Sequence, residues 1–267
     1  MKLLFSTGSL FYLPLTEIFS YAKEAGFDGC DVIIDRRFNN HHYMDSLMEC
    51  HEKILPIYSI HAPFQKMEAW GTQAEALIRT VDLGKQLGAK VVNFHPPSWF
   101  SLEISFLQRF RRIKDFQKEL SCESTILTIE NMPLSGKTLL LAPYILNNYE
   151  DLIAFGMERN LYFTFDITHL ATFGYNIVEA FLKYFQTKRL KNIHVSDFKD
   201  FKSHLFPGRG ELPIVKLLNT IRRLGYDEMV TLELGPNELP RTGEWLKRFM
   251  EFEASFLKMH LAKDGNG

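Results

Sequence analysis

Cysteine is scarce in this chain: three in 267 residues, Cys30, Cys50 and Cys122, far apart and without a C-x-x-C pair. That excludes a disulfide framework and a thiolate metal site, and it points to a reducing, cytoplasmic setting. Long apolar runs are missing as well. None approaches the roughly 20 residues needed to cross a bilayer, so no membrane partner is expected. The apolar opening from Met1 to Leu15 lacks a small-x-small cleavage site and has no charged flank beyond Lys2, so it reads as a first strand rather than a signal peptide. Neither charge is in excess. Thirty-one Lys and Arg oppose 32 Asp and Glu, a balance that exerts no long-range pull on a polyanion. The G-x-S-x-G elbow, the P-loop and G-x-G-x-x-G are all absent, which leaves nucleophilic-serine and dinucleotide chemistry without support.

No low-complexity stretch or Pro/Gly/Ser linker divides the sequence. Instead a short β-rich run followed by an amphipathic segment recurs eight times, as a βα series requires. The runs are Lys2 to Thr7, Gly29 to Asp35, Pro56 to His61, Lys90 to His95, Thr125 to Glu130, Leu161 to Asp166, Leu190 to His194 and Met229 to Glu233. Most are nearly continuous apolar segments, as expected of strands covered by helices on the outside. Helical periodicity marks Leu15 to Ala25, Gln73 to Leu87, Ile104 to Leu120, Ile214 to Leu224 and an eighth helix, Thr242 to Leu261, before a frayed tail from Ala262 to Gly267. Gly26, Gly88 and Gly225 each follow a helical pattern and predict left-handed caps. The length suits one β/α barrel of about 250 residues. The expectation is an α/β, (β/α)8 TIM barrel forming a single domain over residues 1–267.

The metal-capable residues stand at particular places in this series. His61, His95, Glu130, Asp166, His194 and Glu233 end the third to eighth strand runs. In a β/α barrel the C-terminal strand ends converge on one mouth, so residues distant in sequence become neighbours there. A histidine at a strand end is unremarkable by itself. Glu130 and Glu233, each after a buried apolar run, carry more weight, because such a carboxylate must find a partner or shift its pKa. His169 follows Asp166 by three residues, and Asp197 follows His194 as a supporting group or a helix cap. The segment His204 to Pro213 is a turn built by Pro207, Gly208 and Gly210, and it offers His204 and Arg209 as substrate contacts. His41 and His42 fall in a polar stretch that reads as an exposed loop. Phe64 and Trp99 are candidates for an apolar lid.

The ordered set Ile-His-Ala-Pro, Phe-His-Pro, Ile-Glu-Asn, Phe-Asp-x-x-His, Ile-His-Val-Ser-Asp, His-x-x-Pro-Gly-x-Gly and Thr-Leu-Glu resembles the xylose-isomerase-like barrels over nearly the whole chain. That superfamily includes sugar isomerases and epimerases, inosose dehydratases and endonuclease IV. The resemblance implies a metal-dependent sugar, sugar phosphate or polyol isomerase or epimerase of carbohydrate metabolism. It would work by proton transfer through a metal-stabilised enediolate, with Glu130 and Glu233 as the acid–base pair. Glu130, Asp166, His194 and Glu233 would hold one divalent ion, and His169 and Arg209 would contact substrate oxygens. The mixed imidazole and carboxylate donors suit Mn2+, Zn2+ or Co2+. Many relatives are homo-oligomers.

In the endonuclease IV branch the same mouth holds three zinc ions, with His61 and His95 forming a second site beside Glu130. The aspartate expected two residues before His204 is Lys202 here, which puts a third metal site in doubt. The missing basic footprint argues against cleavage of abasic DNA, while Arg36, Arg37 and Lys66 keep a nucleic-acid partner open. A metal-binding barrel without turnover is the remaining alternative.

Overall fold

The computed structural model describes residues 1–99, 104–134, 142–241 and 243–262. Eight parallel strands close into a barrel: β1 (Lys2–Ser6), β2 (Gly29–Ile33), β3 (Ile57–His61), β4 (Val91–Phe94), β5 (Ile126–Glu130), β6 (Tyr162–Asp166), β7 (Leu190–Val195) and β10 (Met229–Leu232), with β1 pairing β10 to complete the ring. The expected (β/α)8 barrel is present. A short antiparallel hairpin, β8 (Asp197–Lys199) with β9 (Lys202–Leu205), rises from the end of β7.

Around the strands lie α1 (Leu15–Glu24), α2 (His41–Lys53), α3 (Gln73–Leu87), α4 (Ile104–Arg112), α5 (Phe116–Glu119), α6 (Tyr149–Glu158), α7 (Ile167–Ala171), α8 (Ile177–Gln186), α9 (Ile214–Arg223) and α10 (Gly243–Leu261). Helix α3 shows how local sequence sets these bounds. The Thr72 hydroxyl accepts from the Glu75 amide while Glu75 accepts from the Thr72 amide, a reciprocal box worth about 1 kcal/mol. Its far end turns at Gly88, with φ of 65°. Gly26 and Gly225 have the same left-handed conformation, as their contexts predict.

Three expectations change. His41 and His42 are exposed but helical, because the Asn40 side chain accepts from the His42 amide and starts α2. The segment Ile104 to Leu120 is two helices, since Asp115 accepts from the Lys118 amide and from Asn160, capping a fresh turn at α5. The run His204 to Pro213 is not a turn throughout: His204 and Leu205 form the end of β9 in the β8–β9 hairpin, whose tip residues Asp200 and Phe201 have positive φ. Thr242 and the tail residues 263 to 267 lie outside the described residues.

Candidate metal centre

Every proposed ligand at a strand end is preceded, two residues earlier, by a small polar residue: Ser59 before His61, Asn93 before His95, Thr128 before Glu130, Thr164 before Asp166, Asn192 before His194 and Thr231 before Glu233. Strand side chains alternate faces, so both members of each pair point into the barrel. All six small residues are fully buried. Five of them form a hydrogen-bonded floor: Thr128 bonds Thr164 at 2.8 Å, Thr231 donates to Asn192 at 2.9 Å, and Asn93 donates to Glu130. A purely structural barrel fills these layers with branched apolar residues. Here the upper interior is polar, and it orients the groups above it.

Those groups form three overlapping sets whose donor atoms lie within 4.8 Å of one another: His61, His95 and Glu130; Asp166, His169 and His204; and Glu130, Asp166, His194 and Glu233. Glu130 is shared. Its Oε2 lies 3.2 Å from His61 Nε2 and 3.7 Å from His95 Nε2, while its Oε1 lies 3.2 Å from His169 Nδ1 and 3.7 Å from His194 Nδ1. One carboxylate therefore bridges two imidazole groups.

The rings are oriented by what each touches on its far side. His61 donates Nδ1–H to the Ala62 carbonyl at 2.7 Å, which turns Nε2 toward His95 Nε2 at 3.0 Å and Glu130 Oε2 at 3.2 Å. His169 repeats the device, donating Nδ1–H to the Asn131 carbonyl at 3.0 Å and facing His204 Nε2 at 3.3 Å. His194 uses its other nitrogen: Nε2 lies 3.1 Å from Asp31 Oδ2, which aims Nδ1 at the carboxylates. That Nδ1 is 2.7 Å from Glu233 Oε2 yet makes no well-formed hydrogen bond. A carboxylate oxygen and a ring nitrogen this close without a formed hydrogen bond are placed so that both could be donors to one cation. A ring nitrogen held by a carbonyl or carboxylate while the other is free is the usual setting of a metal-bound histidine.

Electrostatics agree with that fit. Burial opposes charge on His194, but the charges of Glu233 and Glu130 and the bond to Asp31 outweigh it and hold the ring well above its ordinary pKa. Burial likewise opposes His169, and Asp166 with Glu130 raises it to about 9. Burial would raise Glu233, but His194 draws it down to about 2, and the surrounding imidazoles hold Glu130 well below the carboxylate range. His95 is pushed down to about 3 by burial and by the charge on neighbouring His61. The carboxylates demand positive charge that the crowded rings cannot all supply as protons. A divalent cation meets that demand.

The site forms the floor of a cavity of about 1040 Å³, which reaches His61, His95, Glu130, His169, His204 and Glu233 below and an aromatic rim above. Phe64 belongs to that rim and stacks on His95 at 5.7 Å. Trp99 does not line the cavity; it lies under Arg111 instead, 5.6 Å away. Arg209 is also outside the lining: it donates to Glu238 at 2.9 Å and is largely exposed. Arg36 and Arg37 do line the cavity. The Arg37 guanidinium is engaged by Asp35 and by the Leu13 carbonyl.

Asp197 neither caps a helix nor approaches the ligands. Its carboxylate accepts from the amides of Phe198, Gly208, Gly210 and Leu212, and so closes the His204 loop on itself. A Cβ on Gly210 would fall 2.2 Å from that carboxylate. The residue missed by sequence reasoning is Asp31. It sits inside β2 rather than at a strand end, and its signal was an acid within the otherwise apolar run Cys30 to Ile34.

A family model described as xylose isomerase-like TIM barrel matches residues 19–249, and the chain belongs to that family. An uncharacterized protein of Mycobacterium tuberculosis is 24% identical over 285 residues, covering 98% of this chain and 99% of that protein. A probable endonuclease 4 of Thermotoga petrophila is 28% identical over 153 residues, 53% of this chain and 52% of that one. Among solved structures, a D-tagatose 3-epimerase-like protein superposes with a TM-score of 0.73 at 20% identity, covering 98% of this chain and 97% of that one. The IolI protein, crystallised with a zinc atom, gives 0.69 at 19% identity, covering 97% and 96%. At these identities the structural likeness concerns the fold.

Proposed function

We propose that the chain is a divalent-metal-dependent isomerase or epimerase of a small sugar, sugar phosphate or polyol. The observation that carries this reading is the convergence of Glu130, Asp166, His194 and Glu233, two of which, Glu130 and Glu233, line an aromatic-rimmed cavity. Such a cavity is at the upper end of the roughly 300–1,000 Å³ of small-molecule sites. These four residues would hold the ion. A divalent ion chelated by adjacent carbonyl and hydroxyl oxygens withdraws electron density and acidifies the C–H between them.

The chain's own groups then move the proton. Glu233 is the more accessible carboxylate, 16% exposed against 1% for Glu130, and its ionised state suits a base on the cavity side. Glu130 works from below, where Asn93 fixes one oxygen. Two bases on opposite faces would invert a carbon, and a single shuttling base would give aldose–ketose isomerisation. His169 and His204, in contact with each other beside the carboxylates, would hold substrate oxygens, with Arg209 reaching substrate only if its tie to Glu238 opens. Titratable carboxylates and an ion in one site are the requirements of the reaction, and the fold neighbours include a D-tagatose 3-epimerase-like protein.

The test is exchange of solvent deuterium into ketoses by metal-loaded protein, after metal content is measured by elemental mass spectrometry. About one Mn2+ or Co2+ per chain with exchange is expected. Glu130→Gln and Glu233→Gln should each abolish exchange and weaken metal binding, and full activity in either variant would sink the mechanism.

A second reading is favoured by one observation: the paired Nε2 atoms of His61 and His95, and of His169 and His204, with Glu130 between them. Donors paired in this way around one carboxylate could hold two ions, as a two-metal phosphoesterase requires. Two or three Zn2+ per chain with cleavage of an abasic-site oligonucleotide would select it. Bound metal without either activity would select the non-catalytic barrel.

A further inference from the structure

The three sets of donors at the base of the cavity draw on the strand ends from β3 round to β10, and none draws on the loops after β1 and β2. Those two loops nevertheless build one wall of the same cavity, with Phe11 and Tyr12 from the first and Ile34 and Arg36 from the second. Apart from Asp35 and two arginines this wall is largely apolar. A substrate that offers two oxygens to the donors must lay its remaining atoms elsewhere, and the cavity of about 1040 Å³ has room for them along this side.

The two arginines stand differently. The Arg37 guanidinium meets both oxygens of Asp35, 2.6 Å away at the closest, donates to the Leu13 carbonyl at 3.1 Å and lies 5.0 Å from the Tyr43 ring. Asp35 is fully engaged by it, since it also accepts from the Arg37 amide. Arg36 is exposed, borders the cavity, and has no ion pair, hydrogen bond or ring contact among the described residues. The other carboxylates that line the cavity, Glu130 and Glu233, are held by imidazoles. Among the described residues, no acid of the lining is left to neutralise Arg36.

The backbone that carries Arg36 is fixed from several sides. Asp35 caps the single turn Arg36–Asn39, and Phe38 within it is buried. The Trp70 indole donates to the Phe38 carbonyl at 3.1 Å, and the Asn39 side chain accepts from the Ala69 amide at 3.0 Å. Just before the turn, the Ile34 amide donates at 3.0 Å to the carbonyl of His61, itself one of the clustered donors. A free guanidinium on a pinned backbone is a preorganised donor, because the loop need not be ordered when a ligand arrives.

We propose that Arg36 binds an anionic group of the substrate, a phosphate or a carboxylate, so that the site takes a charged sugar in preference to the neutral one. The guanidinium fork matches either group with two parallel hydrogen bonds. Beside an apolar wall such a pair is less screened than in open water. Held by the clustered donors at one end and by Arg36 at the other, the substrate has two fixed points, and these restrict which carbon meets Glu233. The inference deepens the isomerase reading and rests on it for the sugar; the preference for charge rests on the wall.

The experiment is isothermal titration calorimetry of the Mn2+-loaded full chain with D-fructose, D-tagatose and D-allulose, each as the free ketose, the 6-phosphate and the 6-carboxylate. At least one charged form should bind about 10-fold or more tightly than its neutral parent, and the stronger of the two arms names the anion. In Arg36→Gln that ratio should fall toward one, whereas Arg36→Lys, which keeps the charge but not the fork, should retain part of it. Arg36 is exposed, so the thermal midpoint of both variants should match wild type. A ratio that survives in Arg36→Gln would mean that the ion itself takes the anion, and would overturn the proposal. So would a panel in which no charged form outbinds its parent, or an abasic-site oligonucleotide that binds through Arg36 more tightly than every sugar. Binding is read without turnover. A charge preference lost in Arg36→Gln therefore upholds this inference even if no deuterium exchanges, while exchange on neutral ketoses without such a preference upholds only the isomerase reading.

Discussion

Glu253 faces inward from α10, fully buried, and neither carboxylate oxygen has a hydrogen-bond partner among the described residues. Burial alone raises its pKa from 4.5 to about 8. The sign of the consequence follows from linkage. Below the ordinary carboxylate pKa both folded and unfolded chains hold the proton, and Glu253 costs nothing by titration. Between the two values the unfolded chain releases a proton that the folded chain keeps, so stability falls by up to about 1.4 kcal/mol per pH unit. Above the folded value the loss is complete, at ~5 kcal/mol as an upper figure, with about 3 kcal/mol already lost at neutral pH. Urea unfolding of wild type and Glu253→Gln from about pH 5 to about pH 9 isolates this group, because the other titrations cancel in the difference. The stability of Glu253→Gln relative to wild type should rise up to about pH 8 and level off above it. Glu253→Met, which also removes the unpartnered polar atoms, should gain more at neutral pH. A difference that does not change with pH would refute the reasoning.

Other outcomes follow from the site. Asp31→Asn should weaken metal binding by roughly 10- to 100-fold, as loss of a carboxylate behind a ligand histidine does; a competing chelator titration measures it, and unchanged affinity would remove Asp31 from the centre. Asp197→Ala should cost about 2–3 kcal/mol and expose the His204 loop to proteolysis, and a loop as resistant as in wild type would show that it is held by something else. Chelation should lower the thermal midpoint by mass action, with no shift expected if the ligands are satisfied without an ion. Lys202→Asp, on the exposed end of β9, should raise the number of Zn2+ bound per chain if the endonuclease arrangement is latent, and constant stoichiometry would count against that kinship.

The barrel was legible because its signals are local. Eight apolar runs, amphipathic intervals and glycines such as Gly88 each act within a few residues, and the strand-end positions of Glu130 and Asp166 follow from them. Partnership was harder to read. Arg209 sits in the right loop, but its guanidinium meets Glu238 from a later segment, a choice decided by packing between distant residues. Asp31 supports His194 across 163 positions, and no spacing rule reaches that far. The break between α4 and α5 turned on Asp115 finding Asn160, a contact that periodicity does not encode.

The His204 loop is held at its start by Glu238 and Gly235, which engage the Phe206 amide and the His204 carbonyl, and along its length by one carboxylate. Asp197 grips main-chain amides at Gly208, Gly210 and Leu212, and main-chain amides are indifferent to the side chains beside them. Side chains between those anchored amides can thus be exchanged between descendants of this chain without moving the ends of the loop. The backbone that carries His204 to the cavity stays in place while the outer surface of the loop is free to change.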